Sequence, residues 1–306
     1  MTTASALRSP FHQGQSTQRI MLSVIIALLP GLSIMGFINP FWLLQPLLAG
    51  LGAVIGEWFF IWCCTRQPAQ ASRTLMDSSA LLAGLLLGLC LPPASPWWLA
   101  FIGGHICSML GKQMYGGLGA NPFNPAMLAY LVLLIGFPLQ MSQWQGLYDG
   151  LTQATLLDQA TVLSPAQWPG THAFNQACLL ALGFTLGGLY LLRLGIIHWV
   201  TPICLLLGFI IVQLYIDDFN VKASLLQIPV GGLIIGAFFM ATDPVSAPNH
   251  RQDQIIYALG IGALTSLIRQ GQQYPDGMAF AIVLMNIVTP SFISLKNALK
   301  HKRDIL

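Results

Sequence analysis

One polar heptapeptide stands out in this chain because of the chemistry that its side chains offer, Asp149-Gly-Leu-Thr-Gln-Ala-Thr155. It lies in a long polar stretch, 141–173, of an otherwise strongly apolar sequence. The threonine hydroxyls are candidate attachment points, but an unactivated threonine hydroxyl is a poor nucleophile. Covalent modification of this segment therefore requires a separate enzyme.

Polar side chains inside the apolar runs form a second group of candidates, because such residues mark functional sites in membrane proteins. Glu57 lies within one run, where a lone carboxyl group is either protonated or paired. For it, a structural hydrogen bond or a place at the headgroup boundary is favoured over a role in an ion path. Asp77 and Asp243 stand at the ends of broken runs, where helix N-termini can hold an anion, although Asp243 can equally cap a helix. Lys112 ends another run, and the favoured interpretation is a snorkelling anchor.

The elements that must position these residues are helices in a membrane. Of the 306 residues, 55% are hydrophobic and only 8% are charged, which is too few to cover a water-facing surface. About ten apolar runs are long enough, or nearly so, to cross a bilayer as helices. They are 20–38, 42–64, 79–92, 97–112, 125–140, 174–192, 195–216, 228–242, 254–269 and 277–295. The sequence therefore predicts an all-α, polytopic membrane protein. Its cysteines lie in apolar runs without metal-ligand spacing, so no metal site is predicted.

The distribution of lysine and arginine orients these spans. If the N-terminus is cytoplasmic, only Lys222 and Arg269 fall on the outer side. The basic residues that fall on the cytoplasmic side are Arg8, Arg19, Arg66, Arg73, Lys112, Arg193, Arg251, Lys296, Lys300, Lys302 and Arg303. Such a bias is typical of cytoplasmic loops. It predicts that both termini are cytoplasmic and that the stretch 141–173 faces the periplasm.

An internal repeat divides the predicted spans into two halves. The glycine-spaced runs 81–96 and 230–244 both end in proline, and a second similar pair begins at Asn121 and at Tyr274. Both pairs are separated by about 150 residues, an interval that holds five predicted spans, so the second copy is inverted. Such inverted halves place a ligand site near their interface. The predicted units are an N-terminal segment 1–19, five-helix halves 20–140 and 174–295, the periplasmic loop 141–173, and a basic tail 296–306 that meets anionic lipid.

The heptapeptide resembles the acceptor motif of flavin transferases, D-x-x-[ST]-[GQ]-A-T, whose last threonine is joined to the phosphate of FMN. The resemblance implies that Thr155 carries FMN as a phosphoester and that a flavin transferase attaches it. Asp149, Gly150, Thr152 and Ala154 would complete the recognised motif. Thr152 stands where serine is commoner, a change that leaves the acceptor untouched.

Four longer motifs, at 77–87, 111–127, 236–245 and 274–281, are similar to those of the D subunit of the Rnf electron-transport complex. That protein is a relative of the B subunit of the sodium-pumping NADH:quinone reductase. The similarity extends from about Ser16 to Pro290. It implies a place in the bacterial inner membrane beside the sister A, B, C and E subunits and the flavin-bearing G subunit. It also implies electron transfer between ferredoxin and NAD, coupled to movement of Na⁺ or H⁺.

Under this hypothesis the chain is a redox subunit that is not catalytic alone. Asn121, Asn124 and Asp243 are candidates for a second, non-covalent flavin such as riboflavin, or for an ion. Asn286 is a further amide at membrane depth that suits either such a flavin or an interhelical hydrogen bond. An alternative is a channel or carrier for small polar solutes, because inverted five-helix halves with broken helices also serve that purpose. A third interpretation is an inert anchor for sister subunits. Nothing in the sequence indicates hydrolytic chemistry or binding of nucleic acid.

Overall fold

The computed structural model of this chain describes residues 16–67, 74–142, 144, 167–270 and 277–305, without the side chains of 297 and 300–305. All regular structure in these ranges is helical, which confirms the all-α prediction. The segments that fall on the ten predicted spans are labelled α1 (Thr17–Ile38), α2 (Leu44–Thr65), α3 (Ser79–Cys90), α4 (Trp97–Met109), α5 (Pro125–Gly136), α6 (His172–Arg193), α7 (Val200–Ile216), α8 (Leu233–Ile235), α9 (Arg251–Gln270) and α10 (Met278–Ile305). Shorter pieces are the 3₁₀ turns Pro40–Leu43 and Gln113–Tyr115, the α-helical turns Pro138–Met141 and Val221–Leu226, and the π-helix Gly236–Met240.

The helices differ widely in length, as a polytopic protein with broken spans requires. Among the described residues, four are long and apolar enough to cross a bilayer: Thr17–Ile38, Pro40–Thr65, His172–Arg193 and Met278–Lys296. Shorter apolar helices are Ser79–Gly88, Pro125–Gly136 and Val200–Ile216. The predicted span 228–242 is the most interrupted, because α8 continues into the π-helix. In contrast, α10 extends through most of the predicted basic tail.

Glycines set the closest helix contacts of the first half. A Cβ atom on Gly52 of α2 would overlap the backbone of Phe101 in α4, and one on Gly104 of α4 would overlap the backbone of Ala49. These two helices therefore pack backbone against backbone, which is how small residues promote close helix packing in membranes.

The second half repeats this contact between α7 and α9. A Cβ atom on Gly208 would overlap the backbone of Leu259, and one on Gly262 would overlap the backbone of Leu205. The two glycines follow their first-half counterparts by 156 and 158 residues. Close helix packing therefore recurs along the chain, at an interval slightly longer than the roughly 150 residues that separate the sequence motifs.

A third glycine contact joins the two halves. Gly187 of α6 lies against Ala27 of α1, and Gly183 lies against Gly31. The two helices are therefore antiparallel here. Because Gly183 and Gly187 follow Ala27 and Gly31 by 156 residues, exchanging the halves returns the same contact. A pseudo-twofold axis thus passes between α1 and α6, as two inverted halves require.

Candidate functional site

A cavity of about 740 Å³, including its open mouth, lies where helix ends from both halves meet. The first half contributes the N-terminal parts of α1, α3 and α5 and the loop before α5. The second half contributes the end of α6, the turn after it, the π-helix and the residues that follow the π-helix. Its walls are mainly apolar, with Leu82, Phe238 and Phe239 among them. Apolar walls with a few polar groups are typical of cofactor sites.

Asn124 joins the two halves beside this cavity. Its Oδ1 accepts hydrogen bonds from the backbone N–H groups of Ala126 (3.0 Å) and Met127 (3.2 Å), which caps α5. Its Nδ2 donates to the carbonyl of Met240 at 3.0 Å, at the end of the π-helix. Asn124 is therefore used largely to hold the cavity wall in place.

Asn121 is better placed to meet a ligand. It is 3% exposed and lines the cavity, and its Nδ2 donates to the carbonyl of Phe123 at 3.0 Å. Within the described part of the chain, its Oδ1 is buried and has no hydrogen-bond partner. A buried acceptor without a donor costs about 1–3 kcal/mol. An N–H group of a bound molecule would satisfy it.

Asp243 lies three residues after the end of a π-helix, a rare element that is frequent at functional sites. It lies between the cavity and an adjoining one of about 430 Å³. Its Oδ2 accepts hydrogen bonds from the N–H (3.0 Å) and the Oγ (2.7 Å) of Ser246. Asp243 therefore closes a turn and does not cap a helix, since the next helix begins at Arg251, and it also lies on the cavity wall.

A buried ion-pair cluster shares a wall with the same cavity. Lys112 Nζ lies 2.6 Å from Glu57 Oε1 and 3.6 Å from Asp77 Oδ2, and it also donates to Ser79 Oγ. Ser79 Oγ in turn donates to Asp77 Oδ1 at 2.6 Å, and the Gln113 amide donates to Glu57 Oε1. Ser79 and Lys112 both line the cavity.

The prediction of a snorkelling anchor at Lys112 is wrong. Lys112 is 2% exposed and Glu57 is 0% exposed, because the close packing of α2 on α4 brings the two side chains together within the bundle. Of the two alternatives for Glu57, protonated or paired, the structure shows the pair. The sequence did not predict that Ser79 and Gln113 belong to this cluster. The available signal was their position beside or near a charged residue at a helix end.

The second half carries a different polar group at the corresponding place. Gln213, 156 residues after Glu57, is 0% exposed and accepts a hydrogen bond from Ser266 Oγ at 2.8 Å. Its Nε2 donates to Asp217 Oδ1 at 3.1 Å, and Ser224 Oγ donates to Asp217 Oδ2 at 2.8 Å. A neutral amide therefore replaces the buried carboxylate of the first half. Sequence reasoning missed this group altogether.

His198 lies in the turn before α7, which begins five residues later than predicted, and it lines the adjoining cavity. Burial and, secondarily, the positive charge of Arg251 lower the pKa of His198 below its ordinary value. The imidazole is therefore neutral at neutral pH. In the described ranges, no group of three His, Cys, Asp or Glu side chains is arranged to hold a metal ion.

The heptapeptide lies outside the described residues, so the predicted attachment motif stays a prediction. This applies to Asp149, Gly150, Thr152, Ala154 and Thr155. The chain that follows it is firmly placed. Trp168 is fully buried against Phe174 and Val230, and Thr171 caps α6 by accepting from the N–H of Phe174 at 3.3 Å. The end of the loop is thus fixed against the second half.

Comparison with known proteins relates nearly the whole chain to one group. Residues 6–298 match the family described as NQR2, RnfD, RnfE. The chain is 38% identical to the D subunit of the ion-translocating oxidoreductase complex of Yersinia pseudotuberculosis, over 92% of this chain and 93% of the relative. It is 37% identical to the proteins of the same name from Pectobacterium carotovorum, over 96% and 98%, and from Aliivibrio salmonicida, over 91% and 92%.

Proposed function

The chain belongs to the NQR2, RnfD, RnfE family, and from this we propose that it is a membrane subunit of an ion-translocating oxidoreductase complex of the Rnf type. The relatives named for that role align over more than nine tenths of the chain. In the inner membrane it would assemble with the A, B, C, E and G subunits. Electrons would pass between ferredoxin and NAD, coupled to movement of Na⁺ or H⁺. Family membership favours this function over a solute channel.

The first cofactor in this proposal is FMN, held by a phosphoester on Thr155 in a periplasmic loop. The support is the D-x-x-T-Q-A-T pattern from Asp149 to Thr155, in the longest polar stretch of the chain. The buried Trp168 and the capped start of α6 hold the end of this loop against the bundle. A fixed loop end limits the distance over which an attached flavin moves relative to the membrane.

The second cofactor is a non-covalent flavin in the cavity. The observation that carries this part is the unpartnered Asn121 Oδ1 in a buried, mainly apolar wall. A flavin ring is large and planar with apolar faces, and one edge presents an N–H donor between carbonyl acceptors. The residues present therefore fit the group: Asn121 would accept the ring N–H, and Phe238 and Phe239 would contact its faces.

The bound flavin would supply the reversible electron-carrying chemistry, and the protein supplies binding, orientation and electrostatics. Apolar side chains of α1 and α3 exclude water from the cavity, since Ile20, Met21 and Leu82 are all buried there. Lys112 brings a positive charge to one wall, and Asp243 brings a carboxylate to another. The polar groups therefore lie on different sides of an otherwise apolar space, which favours one orientation of a ligand.

The covalent site is tested on the full chain produced together with a flavin transferase. We expect a denatured gel band that fluoresces under ultraviolet light and a loop peptide whose mass is increased by an FMN group at Thr155. Thr155→Val should abolish both signals, whereas Thr152→Val should keep them. A colourless wild-type chain, made with an active transferase, would contradict the attachment and favour the solute channel.

The non-covalent site is tested by releasing flavin from the purified complex with denaturant and quantifying it. Asn121→Leu removes the acceptor from the cavity and should raise the dissociation constant of the flavin about tenfold, as expected for a buried hydrogen bond of roughly 1.5 kcal/mol, so that less flavin is released. Asn286→Leu is the matched control, because Asn286 is a buried asparagine that does not line the cavity. Equal loss in both variants would indicate a folding defect instead of a lost ligand contact.

A further inference from the structure

The cluster around Lys112 contains more negative than positive groups. Glu57 and Asp77 lie 2.6 Å and 3.6 Å from one ammonium group. Glu57 Oε2 is buried and, among the described residues, has no hydrogen-bond partner. Burying an ionised carboxylate without full compensation is costly. The two carboxylates therefore depend on one counter-charge, and a proton or a small cation can take its place when the ammonium leaves.

Lys112 also belongs to the cavity wall. Its Nζ bonds to Ser79 Oγ, and both residues line the cavity in which Asn121 also lies. A lysine side chain is a compact charge on a flexible four-carbon stem. Rotation about its terminal bonds moves the ammonium between the carboxylates and the cavity without moving the backbone.

We propose that Lys112 couples negative charge in the cavity to cation binding at Glu57 and Asp77, an inference that rests on the flavin proposed for that cavity. Negative charge on the cavity ligand draws the ammonium away from the two carboxylates. Glu57 and Asp77 then lack their counter-charge and take up one proton or one Na⁺ ion. When the negative charge leaves, the ammonium returns and displaces that cation. Charge balances at each step, since one cation enters for one negative charge that Lys112 neutralises.

Among the described residues, the second half has no equivalent of Glu57 that could take part in this exchange. The residue that corresponds to Glu57 is Gln213, whose uncharged amide is already bonded to Ser266 and Asp217. An amide does not need a counter-cation, so the corresponding place does not respond to charge in the same way. The exchange therefore takes place at one end of the bundle.

The test is a reductive titration of the non-covalent flavin, followed by its absorbance in the assembled complex at constant ionic strength. NaCl is varied against choline chloride in one series, and pH is varied in another. In the wild type, we expect a tenfold rise in the coupled cation to shift the reduction equilibrium up to tenfold, about 30 mV for a two-electron couple. Lys112→Met should remove this dependence, and Lys112→Arg should keep part of it.

The matched control is Lys296→Met, which breaks another lysine–carboxylate pair, 2.7 Å from Nζ to Asp253 Oδ1, away from the cavity lining. It should retain the wild-type dependence. If Lys112→Met does not assemble, the double variant Glu57→Gln/Lys112→Met removes a carboxylate together with its ammonium and should likewise lose the dependence. Infrared difference spectra between the two redox states should contain a carboxylate band that disappears in Glu57→Gln.

Three outcomes overturn the inference. The first is a wild-type titration that depends on neither Na⁺ nor pH. The second is a Lys112→Met titration that keeps the wild-type dependence. In both of these cases the flavin is present and the proposed function stands. Complexes that contain no non-covalent flavin would overturn the cavity part of the proposed function and this inference together.

Discussion

Glu57 in α2 and Gln213 in α7 occupy corresponding places in the two halves, yet they are surrounded differently. Both are 0% exposed. Glu57 lies about two turns before the end of α2, and Gln213 lies about one turn before the end of α7. Glu57 is held by Lys112 through an ion pair of 2.6 Å, whereas Gln213 accepts a neutral hydrogen bond of 2.8 Å from Ser266. The first half thus has a buried ion pair where the second half has a neutral amide bonded to a partly buried carboxylate.

This difference separates what packing requires from what chemistry requires. The glycine contacts recur in both halves because the helix backbones touch there and any larger side chain would overlap its neighbour. The polar residues are under no such geometric requirement. A buried ion pair is costly to desolvate and adds little stability, so its presence in one half indicates a role beyond holding the bundle together.

The largest expected effect concerns the ion pair of Glu57 and Lys112. Lys112→Met leaves Glu57 buried without its counter-charge and should destabilise the protein by about 3–5 kcal/mol. Thermal unfolding in detergent measures the change. The double variant Glu57→Gln/Lys112→Met should recover most of it, because the fully buried carboxylate is gone and only the partly exposed Asp77 keeps its charge. Wild-type stability in the single variant would contradict the ion pair.

The next effect tests whether the halves pack alike. Gly104→Ala and Gly262→Ala each force a Cβ atom against the backbone of the facing helix, and each should cost about 1–3 kcal/mol. The two losses, measured by the same thermal unfolding, should agree within about 1 kcal/mol. Gly136→Ala is the control, since a Cβ atom there meets nothing within 4 Å. A loss in only one of the two variants would show that the halves are not equivalent.

A smaller effect is expected at the hydrogen bond between Gln213 and Ser266. Ser266→Ala leaves the buried Gln213 Oε1 without its donor and should cost about 1–2 kcal/mol. Ser108→Ala is the first-half counterpart and should cost less, because Ser108 Oγ donates to the carbonyl of His105 in its own helix at 3.2 Å. Unfolding midpoints measure both costs. Equal losses would mean that the Gln213–Ser266 bond adds no stability.

The smallest effect concerns pH and the cavity next to Asp243. Because the pKa of His198 is lowered in the folded protein, the unfolded chain binds a proton first as the pH falls. Stability should therefore fall below the ordinary histidine pKa of about 6.5. We expect a decrease of only about 1–2 °C in the unfolding temperature between pH 7 and pH 5.5. His198→Asn should reduce this decrease, and an unchanged slope would assign it to other groups.

Much of the fold follows from local sequence properties. Apolar runs and their proline breaks predict where helices start and stop, as at Asn124, which both caps α5 and precedes Pro125. Similar spacing of glycine in 81–96 and 230–244 predicted the repeat. The start of α7 was placed too early, because the apolar Ile196 and Ile197 extend the hydrophobic run into a turn. A hydrophobic run predicts that residues are buried, but buried residues occur both in a helix and in the turn before it.

The site was only partly predictable for a related reason. Of the polar candidates, the structure brings Asn121, Asn124 and Asp243 to one cavity. Asn286 lies elsewhere and makes the interhelical hydrogen bond that was its other interpretation, accepting from Tyr257 Oη at 2.8 Å. Lys112 was misjudged, because a basic residue at the end of an apolar run has the same local pattern whether it reaches water or a buried partner. The difference depends on Glu57, 55 residues away, and no local pattern encodes that contact.

The sequence alone determined that this is an all-helical membrane protein, that its halves repeat in inverted order, and to which family it belongs, because these properties depend on composition and on patterns along the chain. The tertiary structure decided which polar groups meet. Close contact of α2 with α4 placed Lys112 between two carboxylates and a cavity, while the matching contact of α7 with α9 enclosed a neutral amide. Electrostatic interactions depend on distance in space, and only the packed bundle sets those distances.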